Sequence, residues 1–449
     1  MKIETFDVFV IGSGIAGQTV AYSCAEAGMK VAVADKREFG GTCANRGCDP
    51  KKVILATTEI LQRAKDLEGK GVATLPKSTW KQVMDFKKEF TAKIPRKTEE
   101  SLKKAGIHMY HQSPEFLDEN TLLVEGKKVQ AKKIVIASGK QPRNLTFEGA
   151  DLLKNSDDFL SLPTLPESMI FIGAGYVGME FAHMAARFGV EVTVMDHGKR
   201  PLSVFDEDMV AHVTAASKDL GIKFVFESEV ESVEKLQKNF RVTYEKEGEK
   251  QSIKAEMVFN TSGRVPSIAG LNLEKGAIAY HKNGVEVNEF LQSTTNKSVY
   301  ACGDVSAHAL PLTPFSTKEG KIVAENLKNG NRVKTGYKEA PSVVFTLPNV
   351  ASVGISVDEA KQLRKEIIIK TDSVPYWFNA KRINTDYYAF KTIVEKQSGK
   401  ILGAHLVGPE ASEVINLFAM AIYGEMTVED LKNIIFTYPS WGSDIQSMF

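Results

Sequence analysis

The sequence is poor in cysteine and in net charge, and each shortage removes a class of function. Four cysteines in 449 residues (Cys24, Cys43, Cys48 and Cys302) are too few and too unevenly spread for a secreted disulfide framework. A formal net charge of +1 gives no field that would draw nucleic acid or a membrane surface. No apolar run reaches the roughly 18 residues a membrane-crossing helix needs. The run from Phe6 to Ala21 is broken by Asp7, Gly12, Gly14 and Gly17, unlike a signal peptide. A reducing cytoplasm is therefore the expected setting, where a close cysteine pair is redox-active or metal-binding. Zinc wants a second Cys/His pair, and no such cluster accompanies Cys43 and Cys48, so no metal is expected.

That pair lies in Phe39-Gly-Gly-Thr-Cys43-Ala-Asn-Arg-Gly-Cys48-Asp-Pro-Lys-Lys52. Residues five apart on an ideal helix are about 8–9 Å apart between Cα atoms, whereas a disulfide needs less than about 7 Å. A bridge here requires an irregular stretch around Asn45-Arg46-Gly47, with Gly47 supplying the freedom.

Two stretches read as nucleotide-binding strand–helix–strand units. In the first, the strand Asp7–Ile11 runs into Gly12-Ser-Gly14-Ile-Ala-Gly17, a helix follows to about Gly28, and Val31–Ala34 ends at Asp35. In the second, Met169–Ile172 leads to Gly173-Ala-Gly175-Tyr176-Val-Gly178, a helix runs to about Phe188, and Val190–Met195 ends at Asp196. Glycines permit the tight turn and close phosphate approach, and the terminal acid suits a ribose hydroxyl. Two units imply two dinucleotides on two Rossmann-like domains. Three further apolar strands end alike, at Ser138-Gly139, at Gly263-Arg264 and at Gly303-Asp304. The Lys- and Glu-rich region 51–110 reads as solvated helices packed on the first domain. From Pro341 onward, short alternating strands and helices near 411–423 and 427–435 form an α+β domain with no nucleotide motif.

These residues resemble the class I pyridine nucleotide–disulfide oxidoreductases, the flavoproteins that include glutathione reductase, dihydrolipoamide dehydrogenase and mercuric reductase. Gly40–Lys52 is most similar to the glutathione reductase branch. Gly173–Glu180 resembles the second nucleotide motif, and Ala301–Val305 with Leu312-Thr313-Pro314 the flavin-ribityl segment. Pro341–Gly354 and Gly403–Pro409 resemble the dimerisation domain. The resemblance implies an FAD-binding domain over 1–140 and 267–338, an NAD(P)-binding domain over 141–266 and a dimerisation domain over 339–449. FAD contacts are expected at Gly12, Gly14, Gly17, Asp35, Lys36, Gly41, Thr42, Lys52, Ser138, Gly139, Gly303, Asp304, Leu312 and Thr313. Nicotinamide contacts are expected at Gly173, Gly175, Tyr176, Gly178, Glu180, Asp196, His197, Gly263 and Arg264.

The resemblance also implies a route for electrons. They would pass from NAD(P)H through FAD to a Cys43–Cys48 disulfide and on to a small disulfide. Cys48 would be the flavin-side thiol and Cys43 the interchange thiol. Lys51 and Glu180 match an ion pair beside the flavin, and Tyr176 the aromatic that covers it. Taken alone, Lys51 is a surface lysine and Glu180 a helix-surface acid. Asp196 and Gly178 favour NADH, against which His197, Lys199 and Arg200 offer charge for a 2′-phosphate.

Two departures stand out. Asp49 replaces an apolar residue, and it suits an N-cap ahead of Pro50. In the family a His and a Glu, reaching in from the partner subunit of a homodimer, serve the interchange thiol. Here Phe436-Thr-Tyr438-Pro439-Ser440-Trp-Gly-Ser443 places Tyr438 and Ser443 at those positions, and all eight histidines lie at or before His405. An unperturbed tyrosine, with a pKa near 10, forms no imidazolium–thiolate pair at neutral pH. The competing functions are thus NAD(P)H-driven reduction of quinones, metal ions or other oxidants, or a redox-sensing flavoprotein.

Overall fold

The computed structural model describes residues 3–308, 311–337 and 340–449. Contacts divide the chain into two units: 1–53, 85–143 and 264–336 form the first, and 54–84, 144–263 and 337–449 the second. The boundary expected at 338/339 lies outside the described residues.

The first unit is built on a seven-stranded sheet. Strands of Val, Ile, Phe and Ala, buried on both faces, suit a parallel arrangement covered by helices. Glu4–Ile11 lies between Val31–Ala34 and Lys127–Ile136, and His108–Tyr110 and Val299–Ala301 extend the parallel set. Register aligns Ile11 with Ala34 and with Ile136, Ala34 with Tyr110, and Ile136 with Ala301. Five strands therefore end at one carboxyl edge, which is where open α/β sheets bind ligands. The helices Ile15–Glu26 and Thr313–Asn329 belong to the same unit.

In the second unit a four-stranded parallel sheet aligns Ile172 with Met195 and Asn260, and Met195 with Val225. A three-stranded antiparallel ribbon (Ser228–Lys235, Phe240–Lys246, Glu249–Ala255) follows in sequence. A five-stranded antiparallel sheet from Ser342 to Gly408 carries the helix Ala411–Tyr423.

Most of the span 51–110 is helical, in Cys48–Asp66, Trp80–Thr91 and Ile94–Lys104, with a loop between the first two and the strand His108–Tyr110 at its end, but part of it packs elsewhere. Ile54, Leu55, Trp80, Val83 and Met84 are buried in the core of the second unit with Phe159, Phe171, Phe181 and Phe259. Phe159 stacks on Phe181 at 4.1 Å, Trp80 meets Phe159 edge-on at 5.8 Å, and its indole N–H donates to the Leu162 carbonyl at 2.8 Å. Periodicity marked these helices as amphipathic; it did not say which core their apolar face would enter. Truncating a fully buried phenylalanine costs about 3–5 kcal/mol. Phe159→Ala is expected to lower the unfolding free energy of this unit by that amount, read as a lower urea midpoint in tryptophan fluorescence.

Candidate functional site

At the carboxyl edge of the first sheet, Asp35 is tied to the glycine turn. Its Oδ2 accepts from the Ser13 backbone N–H at 2.8 Å and from the Ser13 hydroxyl at 2.6 Å, and the Gly40 N–H donates to that hydroxyl at 3.1 Å. Gly14 and Gly41 then touch through their backbones: a Cβ on Gly41 would lie 2.4 Å from the Gly14 Cα, and its φ of +74° suits only glycine. Gly12 lies against the Ala137 carbonyl and Gly17 against that of Gly12, while Thr42 is in the first turn of the helix Gly41–Arg46 and Gly139 has a φ of +67°. The Ser138 hydroxyl is buried there with no hydrogen-bond partner among the described residues. Backbone amides, a cradle closed to side chains and an orphaned hydroxyl fit a dinucleotide. Lys36 reaches Ser267 at 3.2 Å and Gln141 at 3.4 Å. The Gly303 N–H donates to buried Glu319 at 2.6 Å, a carboxylate the sequence did not single out. Burial raises the carboxyl pKa of Asp304 against the pull of Lys140 and Arg264.

The cysteine pair sits where two helices meet. Gly41–Arg46 forms one and Cys48–Asp66 the next. Irregularity was expected over Asn45–Gly47, but it is confined to Gly47 (φ −137°, ψ −116°). A Cβ there would lie 2.9 Å from the Thr42 carbonyl oxygen. Asn45 is helical and its side-chain amide donates to the Phe39 and Gly41 carbonyls, while buried Arg46 pairs with Glu38. Asp49 is not a cap: Cys48 opens the helix and Asp49 follows inside its first turn.

Both sulfurs reach one hydroxyl, Thr313 Oγ1, at 3.3 Å from Cys43 and 3.6 Å from Cys48. Thr313 and Leu312 meet at the start of the helix Thr313–Asn329, Leu312 as its N-cap. A hydrogen bond from Cys43 is the largest influence on Cys48 and pulls its pKa down to about 6. Thr313 and Lys51 add to this, while burial and Asp49 oppose it. The same hydrogen bond, with burial, pushes the Cys43 thiol up. Negative charge thus settles on Cys48 and the proton on Cys43. Cys24 and Cys302 are buried and burial raises both, Cys24 to about 11, which makes them poor nucleophiles.

In the second unit the glycine turn Gly173–Gly178 repeats the first arrangement. Asp196 accepts from the Ala174 N–H and the Gly198 N–H, each at 2.7 Å. His197 is exposed, 3.4 Å from Asp196. Arg200 donates to the carbonyls of Leu202, Ser203 and Phe205 at 3.1–3.2 Å, so it is engaged within its own loop. Tyr176 opens the helix Tyr176–Arg187 and is 43% exposed. Glu180 is 1% exposed and its Oε1 accepts from the Phe345 N–H at 2.9 Å. Two residues overlooked in the sequence share its helix face. His183 accepts from the Leu347 N–H at 3.2 Å, and Arg187 donates to the Leu347 carbonyl at 3.0 Å. Their i, i+3, i+7 spacing was the available signal. Gly263 falls in the second unit, Arg264 in the first, where its guanidinium donates to the Lys140 carbonyl at 2.6 Å.

Near the C-terminus Tyr438 is 76% exposed, on a cis peptide bond to Pro439. Ser443 turns back to the Ser440 carbonyl at 2.7 Å. The neighbouring carboxylate, Asp444, accepts from Asn379 and from the Tyr388 hydroxyl, both at 3.0 Å, and anchors this segment.

Residues 6–320 match the family described as pyridine nucleotide-disulphide oxidoreductase, and residues 340–449 match its dimerisation domain. The chain belongs to this family. Similar relatives include dihydrolipoyl dehydrogenase from Staphylococcus aureus, 31% identical over 98% of this chain and 95% of that one. Glutathione reductase from Burkholderia cepacia is 30% identical over 100% and 99%. Among solved structures, the Cu(II) complex of RclA, an HOCl-induced flavoprotein disulfide reductase from Escherichia coli, superposes with a TM-score of 0.87 at 25% identity, covering 99% of each chain. A cysteine-to-serine variant of RclA gives 0.88 at 26%.

This pyridine nucleotide-disulphide oxidoreductase is an FAD-dependent enzyme, from a family whose members use FAD and a pyridine nucleotide. Its dimerisation domain suggests a homodimer. No helix among the described residues is long and apolar enough to cross a membrane. With Cys48 held near 6, the reduced protein is expected to keep one thiolate down to about that pH, read as absorbance at 240 nm. Asp49 disfavours an anion at either sulfur, so Asp49→Asn should move the midpoint lower; an unchanged midpoint would show that the carboxylate does not act on the pair.

Proposed function

We propose that this enzyme takes electrons from NADH and delivers them, through the Cys43–Cys48 pair, to a small disulfide. The observation that carries the reading is the split between the two sulfurs, one favouring the anion and the other the proton, over a shared hydroxyl. Bound FAD would supply two-electron transfer between the nicotinamide and the disulfide, held by the Gly12–Gly17, Gly40–Thr42 and Ser138–Gly139 turns. Its domains would divide as the family pattern implies: flavin over 1–140 and 267–338, nicotinamide over 141–266, dimerisation over 339–449. Cys48, whose charge Lys51 favours, would face the flavin, and Cys43 would attack the acceptor. Tyr438, exposed on its anchored segment, would complete the partner subunit's site in the dimer. Lys51 and Glu180, the latter held by Phe345, keep the flavin-side roles that the family pattern implies. Free thiols at Cys24 and Cys302 suit a cytoplasmic setting.

The preference for NADH is supported by charge. Asp196 places a carboxylate at the strand end, and Arg200 is committed to backbone carbonyls. NADH is expected to give a kcat/KM at least about tenfold above NADPH, the scale of one unrelieved charge contact. Asp196→Ser should narrow the gap; equal use of both cofactors by the wild type would refute the assignment.

Tyr438 favours a second reading, in which the acceptor is a quinone or a metal ion, and the Cu(II) complex of RclA adds that ion to the candidates. An acceptor screen separates the two. Cys43→Ser should abolish turnover of small disulfides while sparing quinones. Loss of no activity would move the function to the flavin alone. Tyr438→His with Ser443→Glu should raise disulfide turnover, since acid–base help is worth about 10²–10⁴-fold.

A further inference from the structure

In the reduced pair one proton must leave Cys43 before that sulfur can attack, and the structure puts an acceptor in reach. Thr313 Oγ1 lies 3.3 Å from Cys43 and 3.6 Å from Cys48. A hydroxyl has one hydrogen to give and two lone pairs to receive. It can therefore accept from the Cys43 S–H while donating to the Cys48 thiolate, in exchange for the direct hydrogen bond that Cys43 otherwise gives Cys48. Leu312, not Thr313, is the helix N-cap, and the Thr313 side chain is turned to the sulfurs. Two charged groups act on the pair besides: Asp49 and Lys51, both in the first turn of the Cys48 helix. They carry opposite charges, and neither spans the two sulfurs as the hydroxyl does.

We propose that Thr313 is the proton relay between Cys43 and Cys48. This rests on the reading of the pair as the redox centre. The Cys43 S–H proton passes to Thr313 Oγ1 as the Thr313 hydroxyl proton passes to Cys48, so the negative charge moves from Cys48 to Cys43. The Cys43 thiolate attacks a disulfide R–S–S–R. A Cys43–S bond forms, the R–S–S–R bond breaks and one thiolate leaves. The proton on Cys48 returns through Thr313 and neutralises a leaving thiolate. Cys48, again a thiolate, then attacks the Cys43 sulfur: the Cys43–Cys48 bond forms, the Cys43–SR bond breaks and the second thiolate leaves. The dithiol is oxidised by two electrons, and the acceptor is reduced to one thiol and one thiolate. A task that the family gives to an imidazole from a second subunit is met within one.

Site-resolved alkylation tests this on the full chain. The protein is reduced with dithiothreitol, freed of it anaerobically, and treated with iodoacetamide across pH 5.5 to 9, with Cys43 and Cys48 scored separately by mass spectrometry. Thr313→Val removes the hydroxyl at nearly constant volume. Cys43 alkylation at pH 7 is expected to fall about tenfold or more, the scale of one hydrogen bond to a charged group, with the Cys48 midpoint moving up. Thr313→Ser should restore both. An unchanged Cys43 rate in Thr313→Val would overturn the relay, since direct transfer between sulfurs would then suffice; so would a loss that Thr313→Ser does not repair. Thr313→Ala gives the same readout if the valine variant misfolds. A separate thiol count after NADH addition isolates the underlying reading. A disulfide that NADH leaves intact would refute the redox centre, whereas the alkylation of chemically reduced protein would still judge the relay.

Discussion

Gly47 separates the helix that ends at Arg46 from the helix that begins at Cys48, and both sulfurs meet Thr313 because that break is one residue long. A longer irregular loop would add backbone freedom at the point where sulfur positions must be fixed. The short break leaves Cys43 and its neighbours hydrogen-bonded in one helix and Cys48 at the start of another. A thiolate at a helix N-terminus is stabilised by the orphan amides and the dipole. Arg46 paired with Glu38, and Asn45 bonded to Phe39 and Gly41, secure the first helix on its other side. The electronic asymmetry of the pair follows from this geometry more than from either cysteine alone.

The two glycine turns repeat one design at the same spacing. Asp35 accepts from the Ser13 amide and Asp196 from the Ala174 amide, each acid 22 residues past its amide. In both places the carboxylate holds the turn at the strand end. Beside the second turn, Arg200 is committed to the loop carbonyls it joins. Arg200 thus looks basic in sequence and is spent in structure.

Much of this was legible in the chain. Strand-ending glycines and acids carry their own geometry, because strand register brings them to one edge whatever the intervening lengths. The four-residue gap between Cys43 and Cys48 also demanded a break, and Gly47 was the residue able to make it. Partners were not legible. The periodicity of 51–110 identified apolar faces, yet nothing local says that Trp80 enters the aromatic core around Phe159. Asp49 before Pro50 has the composition of a cap, but closing the helices on Gly47 moved the helix start back to Cys48. His183, Arg187, Glu319 and Asp444 act on backbone or side chains far away in sequence, so no short window reveals them.

Tyr438 changes what the rest of the site must do. A phenol hydroxyl can orient a group by hydrogen bonding, but it is not the imidazole that pairs with a thiolate. The reduced pair itself holds one proton and one negative charge, with Cys48 favouring the anion down to about pH 6. Above that value Cys48 can receive the Cys43 proton; below it Cys48 is already protonated and has no capacity to do so. Disulfide chemistry at Cys43 should then weaken as pH falls through about 6, a limit set by Cys48. An imidazole serving Cys43 would place the limit elsewhere, because its own titration near 6.5 would govern the attack. The exchange of His for Tyr thus shifts acid–base control from a neighbouring side chain to the dithiol, where Thr313 touches both ends of the transfer.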